Sequence, residues 1–151
     1  MRVYVIRHGH AIPHHGPFDD EARWLHEDGR AALARVAGLL RDEGVAFDAV
    51  VSSPLVRAVQ TAEIIAAGIG YRGALEALPE LAPDGSPRHA AEVLLERGAS
   101  VAAVGHEPSI SSLASHLAGI RISAFRPGQV ACIDDGALAW MLDPVALTIA
   151  R

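Results

Sequence analysis

Three short polar clusters each follow directly on an apolar stretch: Arg7-His8-Gly9 on Val3 to Ile6, Ser52-Ser53-Pro54 with Arg57 on Phe47 to Val51, and Gly105-His106 on Val101 to Val104. Open α/β sheets bind ligands at strand ends, because the helices that follow point their positive N-termini there. Two arginines, two histidines and two helix N-termini at one sheet edge make a pocket for a compact dianion, phosphate or sulfate. Arg57 is informative because a cation in the first turn of a helix opposes the macrodipole unless an anion binds there. Neither histidine is specific by itself, since a ring after a strand can simply bond a backbone carbonyl. The conjunction carries the inference. All 13 basic residues are arginine, whose planar fork grips oxyanions in a way lysine cannot reproduce.

The elements that must position these side chains follow from periodicity. Val3-Tyr4-Val5-Ile6 reads as a buried strand. Leu33, Val36, Ala37 and Leu40 recur at helical spacing within a helix from about Glu27 to Glu43, stopped at Gly44. Phe47 to Val51 is a second strand. Ser53 then supplies an N-cap oxygen and Pro54 the first position of a helix reaching about Ala67. A weak strand pattern spans Ala74 to Leu78, and Pro79, Pro83, Gly85 and Pro87 make a loop. Arg88 to Arg97 is a short helix, Ser100 to Val104 a buried strand, and Pro108 opens a helix that ends before Gly119. Gln129 to Ile133 and Ala137 to Leu142, flanking Asp134-Asp135-Gly136, form a closing hairpin. Strands alternating with helices, and strands apolar on both faces, imply a largely parallel sheet covered on both sides, an α/β/α sandwich.

At 151 residues, with 50% hydrophobic and 21% charged, the chain is expected to form one domain, 1–151. A net charge of −5 argues against a broad basic face for nucleic acid or anionic lipid. Cys132, the single cysteine, has no internal disulfide partner and reads as a small buried residue, which favours a reducing, cytoplasmic setting. No apolar run is long enough for a signal-peptide core or a membrane span.

Together, Arg7-His8-Gly9, Ser53-Pro54 with Arg57-Ala58 and Gln60-Thr61, and Gly105-His106 with Pro108 resemble the histidine phosphatase superfamily, the phosphoglycerate mutase-like group. The chain is most similar to the small SixA-type branch of phosphohistidine phosphatases. Its Arg-x-Leu-Thr-x-x-Gly element is echoed by Arg23-Trp24-Leu25-His26-Glu27-Asp28-Gly29, and its Leu-Pro-Glu-Leu-x-Pro stretch by Leu78-Pro79-Glu80-Leu81-Ala82-Pro83. The likeness runs from Arg2 to about Leu142. His26 replaces the branch's threonine, and the expected consequence is a lost helix cap, roughly 1 kcal/mol. His10-Ala11 stands where many superfamily members carry an acidic or amide residue and threonine.

The resemblance implies that His8 is a nucleophile forming a transient phosphohistidine that water then hydrolyses. The ring must be neutral, with its other nitrogen donating to a fixed acceptor near Gly9, where glycine permits close approach and unusual backbone angles. Arg7, Arg57 and His106 would clamp the phosphoryl oxygens, with Arg23 a fourth positive group from the first long loop. No acidic cluster is present to hold magnesium ions, so no metal or cofactor is expected. Glu80 occupies the place of a proton-donating carboxylate in larger relatives; Asp19, Asp20 and Glu21 are alternatives. A phosphohistidine relaxes the need for an acid, because an imidazole protonated on its far nitrogen departs neutral. Larger relatives insert a cap over the pocket, and the stretches between motifs here leave no room for one. An open groove suits phosphohistidine on a signalling or phosphotransfer protein.

Three competing readings remain open. Small phosphomonoesters could be the substrates of an uncapped site, and a non-catalytic phosphate-binding module could retain the same residues. A metal site could form from His8, His10, His14 and His15, although it lacks a carboxylate before Asp19 and leaves Arg57 and His106 unexplained. His14 and His15 fit an exposed turn between Pro13 and Gly16, and His89 and His116 fit helix surfaces.

Overall fold

A computed structural model describes residues 1–14 and 19–151. The described residues contain a seven-stranded sheet in the order β3-β2-β4-β1-β5-β6-β7. Its strands are β1 (Arg2–Arg7), β2 (Ala49–Ser52), β3 (Leu75–Ala77), β4 (Ser100–Gly105), β5 (Val130–Asp134), β6 (Ala137–Asp143) and β7 (Thr148–Ala150). Strands β3, β2, β4 and β1 are parallel. β5, β6 and β7 continue the sheet antiparallel from the other edge of β1. The sheet is therefore mixed, its parallel half carrying the alternating strand–helix pattern and its antiparallel half the expected hairpin. β7 has no signal in periodicity, because its three residues are paired to β6 along one edge only.

Four helices, α1 (Glu27–Asp42), α2 (Val56–Ile69), α3 (Pro87–Leu94) and α4 (Ser109–Ala118), cover the described sheet. Side chains alternate across a strand, and β1 divides accordingly. Val3 and Val5 pack with Ile110 and Leu113 of α4 and with Leu94, whereas Tyr4 and Ile6 pack with Leu33, Val36 and Leu40 of α1 and Ile65 of α2. This is the three-layer α/β/α sandwich, and no cap is inserted among the described residues.

Two helix starts differ from expectation. Helix α2 begins at Val56 with Leu55 at its N-cap, not at Pro54. Ser53 Oγ instead accepts the Leu55 amide at 3.2 Å, closing a local turn that competes with the helical cap. Helix α1 keeps a cap in place of the expected loss, because His26 Nδ1 accepts the Asp28 amide at 3.0 Å. A ring nitrogen with a lone pair does the work of the hydroxyl.

Candidate active site

Each sequence cluster reaches the C-terminal edge of the parallel strands. His8 follows β1 and donates its amide to Gly105 O at 3.0 Å, so the ends of β1 and β4 are stitched together. Segments 10–12 and 24–26 run antiparallel, with His26 N donating to His10 O and Ile12 N to Trp24 O, both at 2.9 Å. Gln60 Oε1 on α2 accepts the Leu25 amide at 2.8 Å. These bonds carry Arg23 to the pocket. Gly29 is required beneath them, since a Cβ there would overlap the His10 carbonyl oxygen.

The resulting pocket, about 760 Å³, is lined by Arg7, His8, Arg23, Arg57 and His106, together with His10, Asp20, His26 and Glu107. His8 is 8%, Arg57 4% and His106 3% exposed. The His8 and His106 ring centroids are 5.0 Å apart. His8 Nδ1 lies 2.7 Å from Gly9 O; a carbonyl only accepts, so Nδ1 carries the proton and Nε2 a free lone pair. Burial, reinforced by the Arg57, Arg7 and Arg23 charges and opposed by the Gly9 bond, pushes the ring down to about 4. At neutral pH it is uncharged. The expectation for Gly9 holds for its close approach, as a Cβ would press on Leu33, but not for an unusual backbone angle, because Gly9 is absent from the positive-φ residues.

His106 Nε2 lies 2.7 Å from Ser53 Oγ, and burial, with the His8 and Arg57 environment, lowers its pKa to about 3. Arg7 Nη1 donates to Phe125 O at 2.7 Å. Arg57 Nη1 and Nη2 donate to Asp20 O at 2.8 Å and Asp20 Oδ2 at 3.1 Å. Burial lowers the Arg57 pKa against the opposing pull of Asp20. Arg23 Nε donates to Asp20 Oδ1 at 2.9 Å. Burial pushes the Asp20 carboxyl up, but Arg57 and Arg23 outweigh it and hold it below the usual carboxylate range. Arg7 Nε, Arg57 Nε and His106 Nδ1 are buried with no hydrogen-bond partner. Buried polar groups are rarely left so, and three belonging to residues of one pocket mark it as built for an oxygen-rich anion.

Residues 3–82 match the family model of the histidine phosphatase superfamily, branch 1. The chain belongs to this superfamily. Among similar histidine phosphatases, phosphohistidine phosphatase SixA of Escherichia coli is 28% identical over 161 residues, covering 100% of this chain and 99% of that protein. A structure of the protein histidine phosphatase SixA complexed with tungstate superposes with a TM-score of 0.88 at 28% identity, covering 98% of this chain and 100% of that one. The fold is shared more widely: phosphoglycerate mutase from Bacillus anthracis gives a TM-score of 0.66 at 16% identity, covering 91% and 90% of the two chains.

The carboxylates sort differently from the phosphate-facing groups. Asp20 lines the pocket, whereas Asp19 and Glu21 do not. Glu80 lies in the short turn Pro79–Leu81 and lines a smaller cavity that shares His106 with the main pocket; its Oε2 is buried without a partner. Sequence reading overlooked Glu107 and the contact of Ser53 with His106. A carboxylate between His106 and Pro108 was the available signal for the first. The second depends on the turn that displaces the start of α2. Of the four histidines in the metal reading, His10 sets its ring tilted beside that of His26, centroids 5.3 Å apart, and among the described residues no group of three His, Cys, Asp or Glu side chains is placed to hold a metal. His15 lies outside the described residues.

Proposed function

We propose that this chain hydrolyses phosphohistidine on a protein substrate, with residues 1–151 acting as one domain and His8 as the nucleophile. The observation that carries the reading is the His8 ring: buried, neutral, fixed as the Nδ1–H tautomer by Gly9, and set among arginines with unmet donors. In the first step His8 Nε2 bonds to phosphorus as the P–N bond to the substrate imidazole breaks, and that electron pair goes to the departing ring. In the second, water attacks phosphorus and the Nε2 pair returns to His8. The similar SixA structure is complexed with tungstate, a tetrahedral oxyanion, which supports a phosphoryl-type ligand for this chain.

Arg7, Arg57 and Arg23 offset the charge of the equatorial oxygens and His106 donates a hydrogen bond to one of them; stabilising that charge is the main demand phosphoryl transfer makes on a protein. Leu55 N already donates to Ser53 Oγ, so the serine hydroxyl is free to donate to His106 Nε2, placing the His106 proton on Nδ1 for a phosphoryl oxygen. Asp20, held ionised by its arginines, is placed to accept a hydrogen bond from the attacking water, whose proton leaves with the released phosphate. Glu80 reaches the scheme through the smaller cavity that it lines together with His106. The scheme uses no metal or other cofactor.

An open pocket of about 760 Å³, with no cap among the described residues, supports a protein-borne phosphohistidine, with phosphotransfer proteins as the partner class and the cytoplasm as the setting. The same openness favours small phosphomonoesters as secondary substrates. Among the described residues no helix is long and apolar enough to cross a membrane.

The test is turnover of a phosphohistidine peptide together with acid-labile labelling of the protein. Wild type should release phosphate and carry the label on His8, and His8→Ala should do neither. Full turnover in His8→Ala would remove the assignment.

A further inference from the structure

One pocket carboxylate is unused in the scheme above. Among the described residues lining the pocket, the carboxylates are Asp20 and Glu107. Asp20 is already committed to Arg57 and Arg23. Glu107 is held differently: Oε1 accepts the Ser111 amide at 3.1 Å and Oε2 the Ser111 hydroxyl at 2.7 Å. Both bonds come from the first turn of α4, and both donors are neutral. They fix the side chain, among the described residues no cationic side chain pairs with it, and each oxygen keeps further acceptor capacity. Glu107 also adjoins His106, whose ring faces His8 at 5.0 Å.

A phosphohistidine that leaves easily is protonated on the ring nitrogen remote from phosphorus, so a cationic ring must enter a pocket otherwise dominated by Arg7, Arg23 and Arg57. It needs a negative partner. We propose that Glu107 supplies it and thereby selects phosphohistidine over phosphate esters, an inference that rests on the reading of His8 as a phosphohistidine phosphatase nucleophile. The carboxylate accepts the N–H of the remote nitrogen. As His8 Nε2 bonds to phosphorus, the P–N bond breaks, its electron pair quenches the ring cation, and the proton leaves on the neutral imidazole. An aryl or alkyl ester presents no such N–H, and its leaving oxygen gains negative charge that a carboxylate does nothing to stabilise.

The experiment compares kcat/KM for a phosphohistidine peptide with kcat/KM for p-nitrophenyl phosphate in wild type and Glu107→Gln. Charge-assisted hydrogen bonds are about twice as strong as neutral ones, and the ratio of the two constants should fall about tenfold in the variant. A purely structural role in starting α4 would lower both activities together and leave the ratio unchanged, which overturns the proposal, as does a variant with wild-type constants. Glu107→Ala, which removes both charge and hydrogen bond, gives the same comparison if Glu107→Gln does not fold. Wild type that cleaves only the ester overturns the phosphohistidine reading itself, and the selection by Glu107 with it. Wild type that cleaves both while the ratio stays fixed overturns the Glu107 assignment alone.

Discussion

Thr61 Oγ1 accepts the Gly9 amide at 3.0 Å and donates to Arg57 O at 2.8 Å. One fully buried hydroxyl thus ties the backbone that holds the His8 ring to the helix turn that carries Arg57. Thr61→Val keeps the shape and removes both bonds. Because small misplacements of reacting groups can cost on the order of 100-fold, kcat should fall about 10- to 100-fold with KM changed little, and Thr61→Ser should restore most of it. Steady-state kinetics on the three proteins checks this; a loss expressed only in KM, or no rescue by serine, would disprove the positioning role.

Arg57→Ala should lower turnover about 10²- to 10³-fold, the scale of losing a preorganised donor to developing charge. Arg57→Lys should recover only part of it, since an ammonium cannot reproduce the two-nitrogen geometry now shown toward Asp20. Equal recovery by lysine would reduce Arg57 to a point charge.

Asp20 occupies the guanidinium groups that an incoming anion needs. Asp20→Asn should tighten inorganic phosphate about two- to fivefold, consistent with the modest worth of partly exposed ion pairs. Calorimetric titration measures this, and weaker binding in the variant would show that Asp20 organises the arginines rather than competing for them.

Burial and the nearby arginines favour the neutral form of His8 in the fold, with a pKa of about 4, against an unfolded value near 6.5. The stability this contributes is fully present above about pH 6.5 and is lost as pH falls toward 4, because the unfolded chain takes up a proton that the folded ring refuses. The loss approaches roughly 3 kcal/mol by the usual conversion of a pKa shift. Urea unfolding at pH 7 and pH 5 should show wild type losing more stability than His8→Asn between the two. Titration of the ring by NMR should find it uncharged at pH 6.

The main site was legible because the fold delivers it by rule. Arg7 ends β1 and His8 follows it, Arg57 stands in the first turn of the helix after β2, and His106 follows β4; each apolar run marks its own end, and a parallel sheet aligns those ends. Glu80 and Glu107 were not sorted so easily. Which cavity a carboxylate enters is decided by one turn of chain, the short helix Pro79–Leu81 in one case and the Ser111 bonds in the other, and no periodicity reports that. β7 and the displaced start of α2 escaped for related reasons: three residues of edge pairing, and a serine oxygen satisfied locally.

Gly9 rests directly on the side chain of Leu33, which is 1% exposed in the cluster between α1 and the sheet. The nucleophile therefore has a piston beneath it. A bulkier residue at position 33 would lift the loop, and loosening of α1 by heat would let it drop, so inactivation on warming should precede the loss of far-ultraviolet ellipticity. Catalytic output in this protein doubles as a gauge of how tightly the helix beneath the nucleophile is seated.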